Sequence, residues 1–417
     1  MADVVESLNG LAKEVFGDAG VPDLCPNGVI IQKEVPFSEA EAMGLKFAQT
    51  VRLAYPNGFT HAKGDGTAGA FAFQNAKPGA QGRAELLGNQ TLLRDQMSYE
   101  DAAKLQKGGA QSFKKGLPYF TEGLQKSMRK RVEAQMLHGA QGIGVFASMT
   151  GSSTTRVITL TAATWAPFIW AGNEGMEFDC YNGATKINTN APITLTSSDP
   201  VARTISVSGN ATDLTALAAT YTFFYCGAYG VEMTGIKGIL ANSASLFNID
   251  ASVYSLWKAT SYVPTAGALT FQKVKKAIAL AVSKGLDEDC KLLVHPSTWD
   301  DINSDIAGLR RTSKDDVSKV DIGSEKIVYH SQNGATEVIA SAFMKEGEAF
   351  GLCNPKDNWK RLGAADVTFN MPGMGDQMFF HLPNNAGVEF RAYTHQAILC
   401  LAPAKQFLIT NIVNTSY

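Results

Sequence analysis

No Gly-Lys dipeptide occurs anywhere in the 417 residues, which excludes a phosphate-binding P-loop. No histidine is followed by glutamate, so there is no HExxH zinc helix. There is also no GxSxG turn to carry a hydrolase serine. The six histidines (His61, His138, His295, His330, His381 and His395) are scattered without metal-ligand spacing and read as ordinary hydrogen-bonded residues. The six cysteines (Cys25, Cys180, Cys226, Cys290, Cys353 and Cys400) contain no CxxC pair. In a reducing compartment they are expected to be isolated buried thiols. Cys180 and Cys226, which share one β-rich stretch, are expected to be unbonded. No run approaches 18 apolar residues, so no membrane helix is expected. Met1 to Gly10 carries Asp3 and Glu6 and lacks a basic start before an apolar run, so no secretory signal is expected. A net charge of −2 leaves no basic surplus for tight nucleic-acid binding, and any contact with DNA should be weak and non-specific. One formal GxGxxG match, Gly64 to Gly69, lies between Pro56-Asn57-Gly58 and Lys77-Pro78-Gly79. A dinucleotide fingerprint must leave a strand and open a helix, and this one does neither. No catalytic, cofactor or metal site is therefore expected.

What is present is apolar bulk and glycine: 45% hydrophobic residues and 39 glycines, enough for two or three packed domains rich in turns. Val4, Leu8, Leu11 and Val15 predict a short helix in an arm that Pro22, Pro26, Pro36 and Pro56 otherwise break up. Residues 60–97 read as a long hairpin, with extended runs Ala70–Phe73 and Thr91–Met97 around the turn-rich Asn75–Gly82. Such a hairpin has little core of its own, yet Phe71, Phe73, Leu86, Leu87, Leu92 and Leu93 need cover, which points to an adjacent chain. Ser98-Tyr-Glu-Asp101 predicts a capped helix to Lys107. A longer helix runs from Pro118 to Gly139. Its apolar Phe120, Leu124, Met128, Val132 and Met136 recur every four residues. That spacing overshoots one turn by about 40°, so the stripe should wind around the helix and meet several elements. Lys126, Arg129 and Lys130 beside it read as a solvated face, or as a contact with a neighbouring chain or DNA.

Short β-like runs follow at Arg156–Thr161, Glu177–Tyr181, Ile193–Thr196, Arg203–Val207 and Thr220–Cys226, separated by turn residues. The character then becomes α/β. An amphipathic helix carries Val274, Ala277, Ile278, Ala281 and Val282. A buried-strand candidate Cys290–His295 precedes a helix opened by Ser297-Thr-Trp-Asp300, with Trp299, Ile302 and Ile306 inward. Arg310–Asp321 reads as an exposed loop. Strands are predicted at Lys326–His330, Thr336–Phe343, Ala349–Cys353, Val367–Asn370, Met378–Leu382, Val388–Tyr393, Ile398–Ala402 and Phe407–Ile412.

This order (arm, long hairpin, long helix, β-rich body, α/β lobe, returning strands) resembles the major capsid proteins of tailed phages, the Hong Kong 97-type fold. Residues 231–259, with Ile249-Asp250, Tyr254 and Trp257, are similar to that family's link from body to A-domain, and Leu292–Asp301 to its strand and capped helix. The resemblance implies an α+β chain divided into an N-terminal arm (1–59), E-loop hairpin (60–97), P-domain with spine helix (98–153), β-rich insertion (154–230), P-domain linker (231–267), A-domain (268–360) and returning strands (361–417). It implies self-assembly into hexamers and pentamers of an icosahedral head shell around double-stranded DNA. It further implies a virion location, assembly in the bacterial cytoplasm, a portal and a separate scaffolding protein, since no charged helical segment precedes the arm. A decoration protein is left open, and no membrane is involved. The subunit-contact candidates are Phe71, Phe73, Leu86, Leu87, Leu92, Leu93, Lys126, Arg129 and Lys130. The competing readings are a β-rich phage tail or adhesion protein, an α/β enzyme, and a non-viral shell of the same fold.

Overall fold

The winding apolar stripe places the longest helix at the centre of the molecule. The computed structural model describes residues 28–39, 46–67, 69–100, 116–307, 327–331, 334–373, 379–383 and 385–415. The arm helix expected at Val4–Val15, most of the helix after Ser98 and the loop at 310–321 lie outside them. After a single-turn helix α1 (Ile31–Glu34), helix α2 spans Gly116–His138. Leu124, Met128, Val132 and Met136 are all buried, and from Val132 to His138 every residue is, so the last two turns are covered on all sides. The stripe meets α1, a turn of helix at Ile236–Leu240 and three strands of the body sheet, one per stretch of its length. The helix stops at Gly139, whose absent Cβ lets the 233–235 segment cross directly over it. There Gly235 N–H donates to Gly139 O at 3.1 Å.

The strands, in chain order, begin with β1 (Phe37–Glu39), β2 (Phe47–Arg52), β3 (Gln81–Leu86) and β4 (Asn89–Ser98). Next come β5 (Gly144–Ser152), β6 (Thr155–Leu160), β7 (Glu177–Asn182), β8 (Thr185–Lys186), β9 (Ile193–Asp199), β10 (Thr204–Ser208) and β11 (Thr222–Tyr225). The order β11-β5-β6-β10-β9-β7 is joined end to end because β11 pairs with both β5 and β7. The result is a closed six-stranded antiparallel barrel with β8 appended, built from one uninterrupted segment. Ile158, Leu160, Phe178, Cys180, Ile193, Leu195, Ile205, Val207 and Phe223 alternate inward, and the ring leaves no open edge. Phe178 meets Phe223 and Trp170 edge-on, with centroids 5.2 and 5.5 Å apart, the geometry that aromatic quadrupoles prefer. The first barrel strand begins ten residues before the expected boundary at 154. Its sequence, Gly-Val-Phe-Ala-Ser-Met-Thr-Gly-Ser, has too little apolar alternation to declare itself.

The remaining strands are β12 (Ser245–Leu246), β13 (Ile249–Asp250), β14 (Thr260–Tyr262), β15 (Cys290–Val294), β16 (Ile327–Ser331), β17 (Gly334–Ala340), β18 (Ala349–Cys353), β19 (Trp359–Thr368), β20 (Phe379–His381), β21 (Gly387–Cys400) and β22 (Phe407–Ile409). A mixed sheet of order β14-β22-β18-β15-β17-β16 carries helices α3 (Phe271–Val282) and α4 (Pro296–Ala307). Val274, Ala277, Ile278 and Ala281 form the buried face of α3 as their spacing predicts, and Thr270 caps it by accepting from Lys273 N–H. The body sheet, β1-β19-β21-β20 with β4 on the other edge of β21, packs under α2.

Three expectations need correction. The strands expected at Val388–Tyr393 and Ile398–Ala402 are one 14-residue strand, β21, because Thr394 and Gln396 stay buried by bonding each other. The hairpin expected between 70–73 and 91–97 does not exist in that register. Its ladder is β2 with β3, Phe47 opposite Leu86, while 89–98 belongs to the body sheet. Finally, the cysteines are not all isolated: Cys290 and Cys353 form a disulfide. They sit directly opposite each other in the β15–β18 ladder, which sequence separation alone conceals. Among the described residues, Cys180, Cys226 and Cys400 are free.

Candidate assembly interface

A long loop without a core projects from the β2–β3 ladder. Leu53 and Ala54 pair with Ala80, and Asn57 N–H donates to Lys77 O at 3.0 Å. Beyond that, the one bond from Gln74 N–H to Thr60 Oγ1 (2.9 Å) ties the two sides together among the described residues. Tyr55, Phe59, Phe71 and Phe73 are 76%, 70%, 49% and 85% exposed. Phe71 and Phe73 touch only edge-to-face, 6.1 Å between centroids, and Arg52 lies over Tyr55 at 5.5 Å. Four aromatic rings on one thin loop form a patch that a soluble monomer rarely leaves open.

The sequence candidates divide. Phe71, Phe73, Leu87 and Leu92 are exposed. Leu86 is buried in its own subunit and Leu93 packs against the body core, so the cover assigned to a neighbour is supplied at home. Lys126 pairs with Glu122 one turn earlier on α2, at 2.7 Å. Arg129 is half-buried and its carbonyl accepts from Gln32 Nε2 at 2.6 Å. Lys130 is buried, with Nζ donating to Ala171 O at 2.7 Å, so it stitches the subunit together and does not offer a cationic surface. Tyr55 and Phe59 were missed. The signal was present: two rings flanking Pro56-Asn57-Gly58, where no period assigns them to a core.

A second surface lies where β4, α2 and residues 225–232 meet, a groove of about 310 Å³. The Arg131 guanidinium sits 3.4 Å above the centre of the Tyr225 ring, and burial pushes the Tyr225 phenol up to about 12. Gln135 Nε2 donates to Glu232 Oε1 at 3.3 Å, while Gln135 Oε1 is buried without a hydrogen-bond partner among the described residues. Burial raises the Glu232 carboxyl above its usual range. The groove thus offers one cation, one acceptor and the apolar edge of Leu92, Met128 and Val231.

The arm enters the body through a carboxylate. Glu133, fully buried on α2, accepts the backbone N–H groups of Ile30 (2.8 Å), Ile31 (2.6 Å) and Gln32 (3.2 Å). Burial raises its pKa, opposed by those three bonds. The buried Arg361 guanidinium contacts Gln32 O and pairs with Asp366 at 2.5 Å, and β1 then runs parallel to β19.

The lobes are joined by the loop Ser341–Glu348, almost wholly buried. Phe343 O accepts from His138 Nε2 (2.9 Å) at the end of α2, and Lys345 Nζ donates to Gly142 O (2.8 Å). Glu346 pairs with Arg203 of the barrel at 2.9 Å, Glu348 pairs with Lys237, and Phe168 N–H donates to Ala342 O. Burial lowers Lys345 to about 8 and holds His138 well below the ordinary histidine range. Among the described residues, no group of three His, Cys, Asp or Glu side chains is placed to hold a metal ion.

The chain is thus an α+β body with a long helix, a projecting loop and an anchored arm. By sequence, neither a family model nor a curated protein matches it. By structure, the capsid of a native GTA particle superposes over 98% of this chain and 99% of its own, with 8% identity and a TM-score of 0.53. The Cyanophage A-1(L) capsid does so over 96% of both chains, with 10% identity and a TM-score of 0.50. The capsid of an empty GTA particle covers 97% of this chain and 96% of its own, with 9% identity and a TM-score of 0.51. The fold is therefore the Hong Kong 97-type fold of phage capsid proteins, present over nearly the whole chain.

Proposed function

We propose that this chain is the major capsid protein of a tailed phage, a structural subunit that self-assembles into the head shell. The observation that carries the reading is the end-to-end correspondence with capsid chains, in which neither partner leaves a domain unmatched. The physical account is additive. The aromatic loop 53–80 of one copy is covered by a neighbour, with Phe71, Phe73, Leu87 and Leu92 as contact residues alongside Tyr55 and Phe59. The groove at Arg131 and Tyr225 is the surface we assign to receive a neighbouring copy, with Lys126 and Arg129 of the same helix as further contact residues. Many such contacts around closed rings sum to a stable shell although each is modest. A net charge of −2 lets like subunits approach. Hexamers and pentamers, a portal, a separate scaffolding protein, weak non-specific contact with packaged DNA, and assembly in the bacterial cytoplasm belong to the same proposal. No catalysis is part of it. Negative-stain microscopy of the purified protein, co-expressed with the scaffolding protein of its own phage where needed, tests the reading. Closed polyhedral shells are expected. A population of monomers with no shells under either condition would remove it.

A further inference from the structure

The disulfide joins two strands at the middle of the mixed sheet, and the surroundings of Cys353 explain why it meets Cys290 there. In an antiparallel ladder, residue pairs alternate between those that exchange backbone hydrogen bonds and those that do not, and side chains approach more closely in the second kind. Cys353 N–H donates to Gln406 Oε1 at 2.7 Å, and Cys353 O accepts from Asn358 Nδ2 at 3.1 Å and Gln406 Nε2 at 3.3 Å. Both backbone groups of Cys353 are thus engaged away from β15, which leaves the pair in the close position, with the Cα atoms 4.0 Å apart. Gln406 is fixed in turn by Trp359 Nε1 at 3.1 Å. The ladder and this buried cage hold the two side chains together whether or not they are bonded.

We infer that Cys290 and Cys353 are a latent redox staple: a dithiol in the subunit as it folds, closed to a disulfide by a small neutral oxidant after the reducing compartment is left behind. The inference rests on the proposed cytoplasmic assembly for its timing only. In the step, two thiols lose two electrons and two protons to hydrogen peroxide, giving one S–S bond and two molecules of water. Access is by a groove of about 680 Å³ that Cys290 lines. Asp287, Glu288, Asp289 and Glu34 line it too, with Lys291 paired to Glu34 and Lys405 to Asp287 and Glu288. A carboxylate-rich entrance disfavours an anionic partner such as glutathione. Peroxide enters where glutathione disulfide does not, and a closed staple resists glutathione for the same reason. The closed ring spans a separation of 63 residues and includes the whole joint at Ser341–Glu348.

The test uses the full-length unassembled subunit, so it stands whether or not shells form. Cells lysed directly into denaturant containing N-ethylmaleimide should yield protein labelled on both Cys290 and Cys353. After dilute hydrogen peroxide, the linked peptides should appear with a mass loss of two hydrogens and no label. Glutathione disulfide at equal oxidising capacity should close the pair at least about tenfold more slowly. Closure should raise the melting temperature by roughly 5 °C, reversed by dithiothreitol, as expected for a ring of this size in a chain of this length. The Cys353→Ala variant should melt like the reduced protein and not respond to peroxide. If it fails to fold, the dithiothreitol comparison on the unaltered chain gives the same readout. A disulfide already complete in quenched cells, closure by glutathione disulfide as fast as by peroxide, or two labelled cysteines after peroxide would each overturn the inference.

Discussion

Glu133 is a single residue with three backbone donors to satisfy. Gln at this position keeps one carbonyl oxygen but turns an N–H₂ toward N–H groups that then lack an acceptor, a cost of about 1–3 kcal/mol per unpaired group. Glu133→Gln should free the 28–39 segment while α2 remains in place, and trypsin should then cut at the exposed Lys33 well before the body is attacked. Equal cleavage rates for the two proteins would mean that the carboxylate does not hold the arm. The buried histidines carry a pH dependence. His295 is depressed to about 3 by burial, with Arg203 adding to the effect, and His138 also lies well below its ordinary value. Because these folded-state values lie below the unfolded one near 6.5, the unfolded chain takes up protons first. The stability they contribute is complete above about pH 6.5 and falls as pH drops below it, for His295 by about 1.4 kcal/mol per pH unit down to about pH 3. His295 Nδ1 accepts from Ser297 N–H at 3.2 Å, a bond that asparagine can reproduce. His295→Asn should therefore fold normally and lose roughly 2 kcal/mol less than wild type in urea titrations between pH 7 and 5. An unchanged loss would refute the assignment.

At the scale of elements, the loop and the barrel carry the tests. Removing Phe59–Gln74 and closing with a short Gly-Ser bridge leaves the β2–β3 ladder and the Asn57–Lys77 bond intact. The subunit should retain its circular dichroism yet fail to sediment as shells. Normal shells would show that the aromatic patch has another use. For the barrel, hydrogen exchange should protect β5, β6, β7, β9, β10 and β11 as one cooperative unit, since each strand of a closed ring leans on two others. Exchange strand by strand would contradict this. Helices α2 and α3 were legible because Leu124 to Met136 and Val274 to Ala281 recur at helical spacing, and five barrel strands were legible from alternation between turn residues. The hairpin was misread because Ala70–Phe73 looks like a strand when only local pattern is visible. Its true partner choice, β2 with β3, depends on Phe47 and Leu86 both finding the body core. Lys130 and Glu133 were illegible for the same reason: their partners lie 41 and about 100 residues away in sequence.

For the whole molecule, Lys63 and Lys77 lie on the projecting loop, and neither is expected to form a covalent cross-link with a neighbouring copy. Shells boiled in detergent should run as single chains of 44.6 kDa, and a ladder of multiples would count against this reading. The order in which the fold closes follows from where its last strands sit. The barrel is complete once residue 225 has been made. The two other large sheets wait for the late strands: β21 is the middle of one, and β22 (Phe407–Ile409) lies between β14 and β18 in the other. At a synthesis rate of about 5–20 residues per second, the barrel stands alone for on the order of ten to forty seconds before the rest can form around it. A truncated chain can therefore close its barrel but never its body. If the chain builds a shell as proposed, translation itself acts as the inspector: an unfinished polypeptide has no finished seat for a neighbour and is barred from a lattice in which one defective tile would spoil the ring.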